Sequence, residues 1–344
     1  MEERFGSLVL VQAGWGEDGV FANEAVTLEL GDDFKIKDPQ LVKIEGDWKS
    51  QWLAEGYDDG LQVGIASLLI NRVSDRPEDE SSCRSHRILC RMHTYNYFSF
   101  LATHRLLLAG WEGERRILTE IAGPPNCRGS IREFPNPFSV GLSVFCEDGD
   151  YLALTRRTTS LAAGGHWHGG KIYNAVGENA APRDFGPGHD GRVRSSPYRV
   201  GRRGLWEELG LPDVEIDASA IHMHSLAYAM DLRDHKMFGF MVTRLSRDEL
   251  QDSWRHAPDR SESAGTGIEY YSVRTEADTR RLLQETVAEA DHWAPEAIFC
   301  TVRSVLVRRL LAPSDVRRIL AVNGQRRRLN GGGVVRKWRS NLRK

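Results

Sequence analysis

The adjacent glutamates in the stretch RRGLWEELGL are well suited to hold a metal ion. Residues four apart lie on one face of a helix, so Leu205 and Leu209 form an apolar stripe. Glu207 and Glu208 then project from the polar side, where adjacent carboxylates repel unless a cation or a proton intervenes. Such oxygen ligands suit Mg²⁺ or Mn²⁺, and Arg203 is one turn away from Glu207, placed to fix its carboxylate. The alternative is a solvated charged face on an amphipathic helix.

This stretch resembles the second half of the Nudix box, whose family pattern is G-x5-E-x7-R-E-U-x-E-E-x-G-U, with U an aliphatic residue. The matching residues are Arg203, Leu205, Glu207, Glu208, Gly210 and Leu211. The match fails at Gly204, where the family has glutamate. It also fails in the first half of the box, whose glycine and glutamate would fall at His189 and Ser195.

A displaced match for the first half lies upstream, where GGHWHGGKIYNAVGE resembles the strand and turn that precede the box in that family. Trp167 and Glu178 are its anchors. With Glu178 as the displaced glutamate, an insertion of 17 residues separates the two halves of the box. A polar insertion of this kind is suited to an excursion over the mouth of a site.

The carboxylate that Gly204 lacks needs a substitute from elsewhere in the chain. The candidates are Glu178, Asp184 and Asp190 upstream, and Glu269 in the stretch GTGIEYYSV. Several enzymes of the Nudix family place a base or a ligand in a late loop, so the resemblance favours Glu269 among them. The alternative for Glu269 is a solvated acid at a strand edge.

The resemblance implies a reaction as well as a fold. Nudix enzymes cleave the diphosphate bond of nucleoside diphosphate derivatives with Mg²⁺, which here would give a nucleoside monophosphate. Glu207, Glu208 and Glu178 would hold the Mg²⁺ or Mn²⁺. Arg203 and Glu269 would complete the catalytic set. The alternative is a non-catalytic Nudix-like module that senses a nucleotide metabolite, which the incomplete box favours.

Further residues bear on the substrate. Arg156 and Arg157 end the apolar run YLALTRR, where they could bind phosphates or simply be charges at a strand end. Trp167 could stack on a nucleobase, with packing as the alternative. The stretch HTYNYFSFLATHR is similar to a segment of two-domain Nudix proteins that cleave UDP-glucose and UDP-galactose, which favours a nucleotide sugar as the substrate. The sequence is compatible with a homodimer.

Local patterns place these motifs in an α+β chain. Apolar runs around EDGD predict a hairpin before the box helix, and two strands follow it in AIHMHSLAYAMDLRDHKMFGFMVTRL. The Gly- and Pro-rich stretch 161–197 predicts mostly loop, and DGLQVGIASLLINRV is apolar enough to be buried. Helical patterns cover 276–293 and 295–311. The resemblance implies that the second domain is an α/β/α sandwich.

Composition limits the remaining classes of function. The formal net charge of −2 on 344 residues gives no field that attracts nucleic acid or a membrane. No apolar run approaches the ~20 residues that span a bilayer, and the N-terminus is acidic where a signal peptide is basic. The cysteines are scattered without a CxxC pair. We therefore expect a cytoplasmic protein with neither nucleic acid nor a membrane as partner.

Prolines between Pro124 and Pro137 indicate a domain boundary near residue 134. We expect a strand-rich N-terminal domain of unknown role over 1–134, followed by a Nudix-like domain over 135–323. The last segment, 324–344, has many arginines and lysines and no acidic residue, so we expect a basic, flexible tail.

Overall fold

The structure is a computed structural model. It describes residues 4–5, 8–14, 18–22, 25–37, 39–54, 59–72, 86–108, 134–159, 169–212, 220–229 and 234–320. Trp167 and the tail 324–344 lie outside the described residues, so the predictions for them stay predictions. The same holds for most of the proline-rich stretch before residue 134.

The fold is α+β, with two sheets and seven α-helices in the described ranges. The strands are β1 (Arg4–Phe5), β2 (Leu8–Ala13), β3 (Val26–Leu30), β4 (Leu61–Arg72), β5 (His86–Asn96), β6 (Phe138–Cys146), β7 (Tyr151–Arg157), β8 (Ile172–Asn174), β9 (Val176–Asn179), β10 (Gly186–Pro187), β11 (Val193–Ser195), β12 (Ile221–Ala229), β13 (Asp234–Val242) and β14 (Ser263–Ser272). The helices are α1 (Pro39–Ala54), α2 (Tyr97–Leu108), α3 (Pro197–Leu209), α4 (Arg247–Arg255), α5 (Glu276–Ala288), α6 (Pro295–Val307) and α7 (313–320). None of these helices has the length and apolar character needed to cross a membrane.

The large sheet has nine strands in the order β1-β2-β12-β13-β6-β7-β14, with β8 paired to β7 and β9 paired to β6. The small sheet has the order β10-β11-β3-β5-β4. Strands from both sides of residue 134 meet in each sheet, because β2 pairs with β12 and β11 pairs with β3. The boundary near residue 134 stays a prediction, and the two parts of the chain share both sheets.

Two cores cover the two faces of the large sheet. On one face, which we call the α3 face, Val140 and Leu142 of β6 pack with Leu205 of α3 and with residues of the small sheet. On the other, the α6 face, Phe145 of β6 packs with Val302 of α6 and with residues of α5 and α7. Because successive side chains of a strand point to opposite faces and both faces are covered, β6 is buried along its whole length.

Helix α3 carries the box-like stretch and lies against β6, β9 and β12. Pro197 occupies its first turn, where the missing N–H has no helical partner to lose. The helix ends at Gly210, which adopts a left-handed conformation with φ of 70° and donates its N–H to the Trp206 carbonyl at 2.9 Å. Leu205 and Leu209 are fully buried, so the predicted apolar stripe anchors the helix to the sheet.

The stretch 161–197, which was predicted to be mostly loop, contains four short strands in its described part. Residues 169–197 contain β8 to β11 and a short 3₁₀ turn, Pro182–Asp184. The ordering comes from long-range pairing, since β11 lies against β3 and β9 lies against β6. The predicted hairpin of β6 and β7 and the strands β12 and β13 are confirmed.

Candidate metal centre

Both glutamates of the box-like stretch are buried. Glu207 is 4% exposed and Glu208 is 8% exposed, so the alternative of a solvated charged face is wrong. A buried carboxylate needs hydrogen bonds or a cation to offset its lost hydration. Glu208 obtains one from the Gly177 N–H of β9, which donates to its Oε1 at 2.7 Å. Glu207 instead faces a set of charged side chains.

Arg203 lies at the centre of this set. Its Nη1 is 2.5 Å from Glu207 Oε2 and 2.8 Å from Glu178 Oε1. Its Nε is 2.7 Å from Asp184 Oδ1. Burial lowers the pKa of Arg203, but the hydrogen bond that Arg203 donates to Asp184 and the three negative charges outweigh burial and raise that pKa overall. The guanidinium is therefore permanently charged and fixes three carboxylates at once, including the predicted contact with Glu207.

Glu178 occupies the space that a side chain at position 204 would need. An ideal Cβ on Gly204 would lie 2.6 Å from Val176 Cγ1 and 2.8 Å from Glu178 Cβ. Glu178 pairs with Val140 across β9 and β6, so its side chain points to the α3 face. The glycine lets the strand lie close to the helix, and the strand brings a carboxylate to the place where the family pattern puts one on the helix.

Three carboxylates could share a cation. One oxygen each from Glu178, Glu207 and Asp259 lies within 4.8 Å of the other two. Ligands on opposite sides of Mg²⁺ are about 4 Å apart, since each Mg–O bond is about 2.1 Å. The Asp259 N–H donates to the Glu207 carbonyl oxygen at 2.8 Å, which ties the segment after α4 to α3. The spacing and chemistry of these oxygens fit a hard divalent cation.

A second arginine also contacts Glu207. Arg183 belongs to the 3₁₀ turn Pro182–Asp184, and its Nη2 is 2.8 Å from Glu207 Oε1. The side chain of Arg183 is mostly exposed, whereas Arg203 is nearly buried. Glu207 thus has a fixed arginine on one side and an exposed arginine on the other.

Glu269 and Arg156 are brought together, but away from this cluster. Arg156 Nε is 2.9 Å from Glu269 Oε1, and the Tyr271 hydroxyl donates to Glu269 Oε2 at 3.0 Å. Ile268 belongs to the core on the α3 face, and Tyr271 packs against the core on the α6 face. Alternation along β14 therefore directs Glu269 to the α6 face, opposite the carboxylates around Arg203.

Some of the other predicted residues join the cluster around Arg203, and others lie away from it. Asp184 joins the cluster through Arg203, whereas Asp190 pairs with Arg194 at 2.8 Å on the surface of the β10–β11 hairpin. Arg157 lies over the ring of Tyr173, 4.7 Å from its centroid. Glu208, predicted as a metal ligand, is absent from the close group of oxygens found among the described residues.

Asp259 and Arg183 were missed in the sequence. Neither belongs to a spaced motif: Asp259 follows a proline after α4, and Arg183 follows a proline inside the insertion. Only the fold brings both to Glu207. No signal in the sequence marks them beyond their being charged residues beside a proline.

Comparison with known protein families gives no matching family model, and no curated protein matches the chain. The chemistry that the site can support therefore follows from its geometry. That geometry offers an excess of carboxylates, a fixed guanidinium and an exposed second arginine. Such a set can hold a divalent cation and attract an anionic group to it.

Proposed function

We propose that this chain is a Mg²⁺-dependent hydrolase of the Nudix type. Its substrate would be a nucleoside diphosphate derivative, and its product a nucleoside monophosphate. The observation that carries the proposal is the convergence of Glu178, Glu207 and Asp259 within 4.8 Å beside the box-like helix. When bound there, Mg²⁺ or Mn²⁺ would neutralise charge on the diphosphate and promote attack by water.

The side chains around the metal would have separate tasks. Glu178, Glu207 and Asp259 would be its ligands. Arg203 would hold the first two in place, because its Nη1 contacts both carboxylates. Glu208 would fix the distance between helix and strand through its hydrogen bond with Gly177. Glu208 thus moves from the predicted ligand set to a positioning role.

The finer assignments belong to the same proposal. Helices on both faces of the large sheet are compatible with a Nudix-like sandwich. The nucleotide sugar as substrate and the cytoplasmic location follow from the sequence patterns alone.

A non-catalytic nucleotide sensor is the second candidate. It is favoured by Gly204, which offers no carboxylate to the site, and by Arg203, which already neutralises part of the acidic charge. Such a module would bind the same class of ligand without hydrolysing it. The two candidates share the site and differ in turnover.

The test is purified protein with Mg²⁺ and a panel of UDP-glucose, UDP-galactose, ADP-ribose and dinucleoside diphosphates. We expect nucleoside monophosphate as product, and a loss of about 100-fold in turnover for Glu207→Gln and for Glu178→Gln. Glu285→Gln, an exposed glutamate on α5, is the matched control and should retain activity.

Two outcomes would change the proposal. Metal-dependent binding of a panel member without product would replace the hydrolase with the sensor. If the protein shows no turnover and binds no Mn²⁺, both candidates are contradicted.

A further inference from the structure

We propose that Arg183 is an exchangeable cation of this site. It neutralises Glu207 while no metal is bound, leaves when a divalent cation binds, and then binds the diphosphate of the substrate. The inference rests on the proposed function, because it needs a metal at Glu207. It adds Arg183 to the proposed site and makes binding of the diphosphate depend on binding of the metal.

The first support is the contact itself. Arg183 Nη2 lies 2.8 Å from Oε1 of Glu207 and 3.1 Å from Oε2, so one N–H group faces both oxygens of the carboxylate. One of the same oxygens is needed by a cation shared with Glu178 and Asp259. Arg183 and a metal would therefore compete for the same side of Glu207.

The second support is the difference between the two arginines. Arg203 is 11% exposed and contacts Glu207, Asp184 and the Asn179 carbonyl oxygen. The side chain of Arg183 is 64% exposed, and within the described residues its hydrogen bonds and ion pairs are with Glu207 alone. Displacing Arg203 would break a buried network, whereas displacing Arg183 would break one ion pair whose arginine is itself exposed.

The third support is that the backbone below Arg183 is held in place. Asp184 is buried and accepts the Ala181 N–H at 2.8 Å, and the Ser195 hydroxyl donates to the Asp184 carbonyl oxygen at 2.8 Å. Pro182 restricts the start of the same turn. An exchange would therefore move only the long side chain, and the released guanidinium would stay at the rim of the site.

Charge gives the direction of the exchange. Glu178, Asp184, Glu207 and Asp259 supply four carboxylates near two guanidinium groups. A divalent cation in place of Arg183 neutralises more of this excess than one guanidinium does. A free guanidinium beside the metal then suits a diphosphate, because its planar donors bind phosphate oxygens in pairs.

The experiment compares the full-length protein with Arg183→Gln and Arg192→Gln. Arg192 is the matched control, since it is an exposed arginine of the same insertion that pairs with Glu29 at 3.0 Å. Mn²⁺ binding is measured by electron paramagnetic resonance at low ionic strength. Binding of methylenediphosphonate, which is not hydrolysed, is measured by calorimetry at saturating Mn²⁺.

We expect Arg183→Gln to bind Mn²⁺ about fivefold more tightly than the control, because the competing cation is gone. It should bind methylenediphosphonate about tenfold more weakly. Mn²⁺ binding that is unchanged or weaker in Arg183→Gln, or unchanged diphosphonate binding, overturns this inference and leaves the proposed function standing. If the wild-type protein binds no Mn²⁺, the proposed function fails and this inference fails with it.

Discussion

Two cations, nearly buried Arg203 and buried Lys236, lie on opposite faces of the large sheet, and their surroundings differ. Arg203 on the α3 face contacts the carboxylates of Glu178, Asp184 and Glu207. Lys236 pairs with Ser139 of β6, and the next residue of β6, Val140, points to the α3 face. Because neighbouring side chains of a strand alternate, Ser139 and Lys236 point to the α6 face. The Nζ of Lys236 is 2.5 Å from Asp234 Oδ2 and 3.2 Å from Ser139 Oγ.

The difference lies in how many carboxylates contact each cation directly. Burial lowers the pKa of Lys236, but the charge of Asp234, followed by Tyr173 and Glu296, raises that pKa overall. The ammonium forms a close pair with one carboxylate. Around Arg203, three carboxylates contact one guanidinium. One of these carboxylates, that of Glu207, also contacts the exposed Arg183. Burial of charge is common to both sites, so the direct contact of one cation with three carboxylates is what distinguishes the candidate metal centre from the close pair of Lys236 and Asp234.

The largest expected effect in this comparison is on stability at the α6 face. Lys236→Met leaves Asp234 buried without its cation, so we expect the free energy of unfolding to fall by about 3–5 kcal/mol. Urea denaturation measures this loss, with the exposed Lys35→Met as control. A loss below about 1 kcal/mol would mean that the pair is not a structural one.

A smaller effect is expected from Gly204→Ala on the α3 face. The new methyl group would overlap Val176 and Glu178, so we expect a loss of about 1–3 kcal/mol in thermal or urea unfolding. Mn²⁺ binding should weaken as well, because Glu178 must move. Gly46→Ala in α1 is the control, since no atom lies within 4 Å of its added Cβ, and it should gain about 1 kcal/mol. Equal behaviour of the two variants would contradict the close approach of β9 to α3.

The smallest effect concerns pH on the α6 face. Burial, and then the charge of Arg303, hold the pKa of His224 well below its usual value of 6.5, and its ring lies between Ser225 and Ser304. The unfolded chain binds a proton below pH 6.5 that the folded chain rejects, so stability is full above that pH and falls below it. His224→Gln should reduce the slope of stability between about pH 6.5 and 5 by up to about 1.4 kcal/mol per unit. Identical slopes would contradict a neutral, buried His224.

The elements that could be predicted from sequence are those set by local pattern. The box helix, its end at Gly210 and the hairpin of β6 and β7 all follow from apolar spacing and turn residues. β4 shows the limit of such patterns: it was predicted to be buried, yet Leu61 and Leu69 are exposed because the strand is at the sheet edge. Edge position depends on strand order, which hydrophobicity does not encode.

The site was predictable only in part, for a related reason. Glu207 and its contact with Arg203 lie within one helix, so the spacing of four sufficed. Glu269 was favoured over Glu178 by family resemblance, yet the strands β14 and β9 direct them to opposite faces. Both strands belong to a sheet covered on two sides, so their sequences carry little alternation from which to infer the face.

The pairing of β2 with β12 also constrains how the chain is made. Some two hundred residues must leave the ribosome before β2 can pair with β12. The separation in sequence between β3 and its partner β11 is almost as large. Contacts between residues this distant in sequence slow folding. They also make the folding of the N-terminal strands depend on the presence of the C-terminal part. A nascent or cleaved N-terminal piece would present unpaired strand edges, so loss of the C-terminal half by a premature stop should yield a fragment prone to aggregate.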